Sequence, residues 1–136
     1  MNVPAIGETI TTERARALCV ERGVIFDYIV KRIDARPDDF KSWIFDGASL
    51  VPDHLAAKIL HIPNLTAIAL EHDLKYAYGE LGNEEERLRA DREFRVDLLA
   101  DGTDTIVAES MYTAVRIGGD QKFRTSFSWG FARVDR

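Results

Sequence analysis

The chain is short of several residues and patterns, and each shortage excludes a class of protein. Its 136 residues include a single cysteine, Cys19, so no disulfide can form within the chain. This cysteine lies in an amphipathic stretch, which is typical of a core thiol rather than a nucleophile. No apolar run reaches the roughly 18 residues that a membrane-spanning helix needs. The first residues also lack the basic and apolar regions of a secretory signal. We therefore expect a protein that is not transmembrane.

Positive charge is also in short supply. The formal net charge is -5, whereas general nucleic-acid binding requires a basic face that neutralises phosphates. Residues 1–40 are locally rich in arginine and lysine, which is typical of a solvated helix surface. The length and the hydrophobic content of 46% are those of one globular domain over residues 1–136. No nucleic-acid partner is expected.

Hydrophobic spacing and capping residues predict a small, mainly α domain. Thr11 or Thr12 can cap a first helix that Gly23 ends, and a second helix should end before Pro37. Residues 45–49 are predicted to form a turn, with a short helix beginning at Pro52. We treat residues 1–40 as a helical N-terminal extension.

Two longer helices are predicted at the centre of the chain, from about Leu65 to Tyr78 and from Asn83 to about Ala100. Their short connection predicts antiparallel packing. Another helix should begin at Asp104 or Thr105 and end at Gly118. Residues 120–136 form an aromatic tail, whose alternating pattern fits a short strand or an extended cover. Short irregular or β segments should therefore accompany the helices.

Polar residues interrupt the apolar face of the first long helix. On a helical wheel, His72, Asp73 and Tyr76 share one arc with apolar residues, and Lys75 and Tyr78 lie across from it on the face expected to be wet. An unpaired buried carboxylate is costly and is usually kept only with a partner or a metal. These residues therefore mark a candidate site.

A second interruption lies on the next helix, where Asp91 occupies an apolar stripe between Arg87 and Arg95. If the helices are antiparallel, Asp91 can reach a ring nitrogen of His72, and either arginine can neutralise it. A carboxylate that fixes the imidazole tautomer leaves the other nitrogen as a general base. Asp73 would be free to hold a cation, which completes a minimal hydrolytic set. The alternative is a satisfied polar network that only fixes the register of the helices.

The spacing of these residues resembles the core of phospholipase A2-like domains. His72-Asp73-Leu74-Lys75-Tyr76 and Ala90-Asp91-Arg92-Glu93-Phe94 match His-Asp-x-x-Tyr and Ala-Asp-x-x-Phe on successive helices. The disulfide-free viral-capsid branch of that superfamily is more similar than the secreted enzymes. The chain also resembles a family of uncharacterised bacterial and phage proteins, through residues 46–52 and 111–119 in addition. These motifs cover about residues 45–119, so we expect a phospholipase A2-like core there and a cytoplasmic or phage-borne protein.

The resemblance implies a role for each site residue. His72 would be the base that activates water, Asp91 would orient it, and Tyr76 would support the network. Asp73 would be a calcium ligand. The glycine-rich metal loop of phospholipases A2 is represented here only by Asp46-Gly47-Ala48-Ser49, with one glycine. Asp46 would then supply a side-chain ligand, and Ser49 would hydrogen-bond His72 or Asp73.

Three interpretations of the function follow. The main one is a non-catalytic accessory or structural protein of phage or prophage type, in which the polar centre maintains the fold or binds a bacterial or phage protein. This interpretation predicts an occluded His72. The alternative is a lipid-ester hydrolase, with calcium as a cofactor and a cleft above His72. The third is a His-Asp metal phosphohydrolase with His54 or His61 as a further ligand. The aromatic tail is expected to cover the helices or a homo-oligomer face, and lipid contact is the alternative.

Overall fold

The computed structural model describes residues 2–47 and 64–136 of the chain. Within these residues the fold is mainly helical, with a two-stranded antiparallel sheet. Strands β1 and β2 are Thr9–Ile10 and Trp43–Ile44. The α-helices are α1 (Thr12–Arg22), α2 (Asp27–Ala35), α3 (Leu65–Ala77), α4 (Glu84–Ala100) and α5 (Thr105–Gly118). Single 3-10 turns cover Val24–Phe26, Pro37–Asp39 and Gln121–Phe123.

Three of these helices begin at side-chain caps. The side chains of Thr11, Asn83 and Asp104 accept hydrogen bonds from backbone amides in the first turns of α1, α4 and α5. Such caps satisfy amides that have no partner within the helix. Gly23 ends α1 at a φ of 94°, which favours glycine. The mainly α prediction is confirmed, and the helix bounds lie close to those expected from the sequence.

Helix α3 lies between two hydrophobic clusters and joins them. The larger cluster contains the apolar faces of α1 and α2, one side of α3, and the C-terminal tail. The smaller cluster contains Ile68 of α3 together with residues of α4 and α5, including Phe94 and Met111. Residues far apart in sequence thus bury α3 from several directions.

This central position makes one sequence-based expectation wrong. Lys75 and Tyr78, which were expected on a wet face of α3, are both buried. The wheel assigned a single apolar face to the helix, but α3 is covered on that opposite side too. Tyr78 accepts a hydrogen bond from Trp43 Nε1 at 3.0 Å. A helix buried on two sides cannot be oriented from its own periodicity.

The aromatic tail covers the helices but forms no strand within the described residues. It runs through turns, and a single β-bridge joins Arg133 to Phe40. Trp129 and Phe131 are buried, and Trp129 Nε1 donates a hydrogen bond to the Glu80 carbonyl at 2.7 Å. The expectation of a short strand is therefore wrong for the described chain, while the expectation of a cover is met. Trp129 and Phe131 are therefore not available as a lipid-contacting surface, whereas Phe123 of the same tail is half-exposed.

None of the helices within residues 2–47 and 64–136 is long and apolar enough to cross a membrane.

Candidate functional site

The antiparallel pair of α3 and α4 brings His72 and Asp91 together. His72 Nε2 lies 2.9 Å from Asp91 Oδ1, although 19 residues separate them in sequence. Asp91 is fully buried and His72 is only 7% exposed. Because an ionised carboxylate only accepts hydrogen bonds, Nε2 carries a proton in this contact. In the neutral imidazole the free lone pair is then on Nδ1.

Tyr76 supports the same carboxylate oxygen one turn further along α3. Its hydroxyl donates to Asp91 Oδ1 at 2.7 Å, and its ring lies 4.4 Å from that of His72 between centroids. Phe94 lies on the imidazole as well, at 4.6 Å. Burial, followed by the negative charge of Asp91, raises the pKa of Tyr76, so the phenol stays protonated and donates. The imidazole is thus held both by a hydrogen bond and by two rings.

The second oxygen of Asp91 is held from α5. Arg116 donates to Asp91 Oδ2 at 2.6 Å, and Arg87 Nη1 lies 3.5 Å from the same oxygen. Arg87 also donates to Tyr76 Oη at 3.2 Å and is bidentate to Glu84, at 2.8 and 2.9 Å. These arginines compensate a carboxylate whose burial alone would be costly. Side chains from three helices therefore converge on Asp91.

The sequence-based choice of arginines was half right. Arg87 reaches Asp91 as expected, but Arg95 points elsewhere, to Glu109 at 3.1 Å and over the ring of Tyr112. The sequence analysis does not name Arg116 as a site residue. Arg116 lies in the motif at residues 111–119 that contributes to the resemblance, and membership of that motif is the signal that could have indicated it.

Glycine permits the close packing behind Tyr76. A Cβ on Gly119 would lie 2.5 Å from Tyr76 Oη, and one on Gly79 would lie 2.2 Å from the ring of Trp129. Trp129 in turn meets Tyr76 edge to face, at 5.0 Å between centroids. The tail thus packs on Tyr76 through Trp129, a contact that the spacing on α3 and α4 does not reveal.

Asp73 has a very different environment from Asp91. It is half-buried on α3, and no hydrogen bond or ion pair joins it to another described residue. Burial, followed by the negative charge of the exposed Asp46, raises its pKa well above the usual range. The fold therefore brings Asp73 and Asp46, the two carboxylates expected to bind a metal, close enough for their negative charges to repel each other. Such a pair is electrostatically unfavourable unless a cation or a proton compensates it.

The carboxylates of Asp73 and Asp46 do not by themselves complete a calcium site. Calcium takes six to eight oxygen ligands, and two carboxylates supply too few. Among residues 2–47 and 64–136, no group of three or more His, Cys, Asp or Glu side chains is placed to hold a metal ion. Ser49, His54 and His61 lie outside the described residues, as do the short helix expected at Pro52 and the second half of the predicted turn.

The chain was compared with models of protein families, with curated proteins and with solved structures, and none of them matches it.

Proposed function

We propose that this chain is a hydrolase with a phospholipase A2-like helical core, in which His72 is the general base that activates water. The observation that carries the proposal is the hydrogen bond from His72 Nε2 to Asp91 Oδ1, at 2.9 Å. It directs the basic lone pair to Nδ1, the other side of the ring. The order of the motifs, with His-Asp-x-x-Tyr on α3 and Asp91 on the antiparallel α4, supports the same family of folds.

The chemistry follows from the position of the proton. Nδ1 takes a proton from water as the water oxygen attacks an ester carbonyl, and the imidazolium then returns a proton to the leaving alkoxide. Asp91 stabilises the imidazolium and holds the ring in one orientation, as a carboxylate does in other His-Asp pairs. Tyr76 donates to the same oxygen, which fixes the carboxylate against rotation.

The position of Asp73 supports a functional centre. Asp73 follows His72 on α3 and lies near enough to Asp46 for that charge, after burial, to raise its pKa. Unfavourable charge of this kind is concentrated at functional sites. Reaction mixtures should therefore be tested both with calcium and with a chelator.

The test is fatty-acid release from mixed phosphatidylcholine and phosphatidylglycerol vesicles, in calcium and in EDTA. His72→Gln is the informative variant, because its amide can still donate to Asp91 while it has no basic nitrogen. We expect a loss of release of about 100-fold or more, the usual contribution of a general base. Lys122→Gln, at an exposed position, is the control. Absence of release from the wild type in both conditions would refute the lipid hydrolase.

A second candidate is a non-catalytic accessory protein with the same core. It is favoured by the 7% exposure of His72, which is the occlusion that this interpretation predicts, and by the two arginines that share the charge of Asp91. In that case His72 and Asp91 fix the register of α3 against α4, and a protein partner carries the function. The vesicle assay would then detect no release, while Asp91→Asn would still destabilise the fold.

A further inference from the structure

A second polar region lies on the other side of α3, in a cavity of about 410 Å³ between α2, α3 and α4. Its polar lining comes from Tyr28 and Arg32 of α2, Lys75 of α3, and Glu86, Arg89 and Glu93 of α4. His72 and Asp91 do not line it. The region therefore has to be understood separately from the His72 centre.

Lys75 is the unusual group in this cavity. The residue is only 5% exposed, and its nearest carboxylate oxygen, Glu93 Oε1, lies 3.7 Å from Nζ, beyond hydrogen-bonding distance. No hydrogen bond joins Nζ to another residue of the described chain, and the ammonium lies 5.4 Å from the centre of the Phe26 ring. An ammonium has three protons to donate, and Nζ is not among the side-chain atoms of the described chain that are shut off from solvent without a partner. Lys75 therefore buries its stem and lines the cavity with an ammonium that can still donate.

Two further donors line the same space. The Tyr28 hydroxyl and the exposed guanidinium of Arg89 make no hydrogen bond or ion pair with any residue in ranges 2–47 and 64–136. Arg32 differs, because Glu86 receives two hydrogen bonds from it at 2.7 Å each. The Arg32–Glu86 pair is therefore saturated, and Lys75, Tyr28 and Arg89 are the groups that can still donate.

The acidic residues near Lys75 limit where an anion can lie. Glu93 is half-exposed and lines this cavity, so it competes with an incoming anion for Lys75. Glu71 and Asp97 line a neighbouring cavity of about 290 Å³, which shares Ile25, Lys75, Arg89 and Glu93 with this one. An anion is consequently favoured on the side of Lys75 that faces Tyr28, which lines only the larger of these two cavities.

We propose that this cavity binds a small organic anion, a phosphate or a carboxylate, through Lys75, Tyr28 and Arg89. The ammonium and the guanidinium supply charge-assisted hydrogen bonds, and the phenol supplies a neutral one. Ile25, which also lines the cavity and is largely exposed, offers an apolar contact for the rest of the ligand. The site does not depend on the proposed hydrolase activity.

The test is a titration of the full chain with phenyl phosphate and, separately, with benzoate. Binding is monitored through the chemical shifts of the backbone amides in NMR spectra. These probes carry the same ring, so the comparison shows which acid group the cavity takes. We expect saturable shifts at Tyr28, Lys75 and Arg89, and binding at least about tenfold weaker in Lys75→Met, as the loss of a charged hydrogen bond implies. Lys41→Met removes the same charge from an exposed position away from the cavity and should bind as the wild type does.

Glu93→Gln is expected to strengthen binding, an effect that a variant which merely unfolds cannot produce. It removes the carboxylate that competes for Lys75, so binding of the probes should become severalfold tighter. Tyr28→Phe should weaken binding by a smaller factor. The proposal is overturned if neither probe produces saturable shifts at these residues, if Lys75→Met binds as tightly as the wild type, or if Glu93→Gln weakens binding.

Discussion

The two polar regions on either side of α3 differ in how completely their charges are satisfied. Asp91 has hydrogen bonds from His72, Tyr76 and Arg116, and Arg87 lies close by. Lys75, one turn from His72 on the same helix, has one carboxylate at 3.7 Å and no hydrogen bond within the described chain. Both residues are almost fully buried. The burial of a residue by itself therefore does not distinguish a charge whose hydrogen bonds are satisfied from one that can still donate.

The comparison predicts at which residue the removal of a charge should lower the stability of the fold most. Removing the Asp91 carboxylate, the acceptor at the centre of a saturated network, leaves several buried donors without a partner, and each of them then lowers the free energy of unfolding. Removing the Lys75 ammonium, which has no hydrogen bond to the described part of the chain, leaves only the half-exposed Glu93 without its neighbour at 3.7 Å. The stability of variants on the two sides of α3 should consequently differ by several kcal/mol.

The largest effect is expected for Asp91→Asn. The variant keeps the shape of the side chain but leaves Arg116 and Arg87 without their shared carboxylate. We expect a loss of about 3–5 kcal/mol in the free energy of unfolding, as for a broken buried ion pair. Chemical denaturation at neutral pH measures it. A loss below about 1 kcal/mol in the free energy of unfolding would mean that the network around Asp91 does not hold α3, α4 and α5 together.

Tyr76→Phe should have the next largest effect. It removes the hydrogen bond to Asp91 Oδ1 at 2.7 Å and an acceptor of Arg87, but leaves the ring packed against Trp129. A hydrogen bond to a charged group contributes about 1.5–3 kcal/mol. In the same denaturation experiments, the free energy of unfolding of this variant should lie between those of the wild type and Asp91→Asn. A larger loss of stability than that of Asp91→Asn would contradict this prediction.

Asp73→Asn should change the dependence of stability on pH. The folded pKa of Asp73 is raised by burial and by Asp46, so protonation favours the folded state. That contribution is fully present below the unfolded pKa, about 3.9, and is lost as the pH rises through the folded value. The Asn variant lacks the charge, so its stability relative to the wild type should increase with rising pH. The measurement is a set of unfolding curves in EDTA, and a difference that is the same at every pH would argue against the raised pKa.

The smallest effect on stability is expected for Lys75→Met. Methionine retains the apolar stem of the side chain and removes an ammonium that has no hydrogen bond to residues 2–47 and 64–136. Stability should stay the same or rise by up to about 1 kcal/mol, because replacing a buried ion by an apolar group is often neutral or favourable. A loss as large as that of Asp91→Asn would remove the distinction between the two regions.

Much of the candidate site could be predicted from α3 and α4 alone. His72 and Asp91 both interrupt apolar faces, and a short connection between two helices predicts antiparallel packing. The hydrogen bond between them confirms that pairing. Arg116 could not be assigned to the site in this way, because its position depends on how α5 packs across α4, and nothing in the spacing of α5 indicates the partner of its last turn.

The sequence by itself determined the helices, their caps and the pairing of His72 with Asp91, since each depends on residues close in the chain or on one short connection. Only the tertiary structure decided that α3 is buried on two sides, that Trp129 packs on Tyr76, and that Lys75 borders a cavity. These features arise from contacts between different elements, some of them far apart in the chain, as with Trp129 and the Glu80 carbonyl. Such contacts leave no periodic signal in either segment, because a hydrophobic pattern records that a face is covered and not which element covers it.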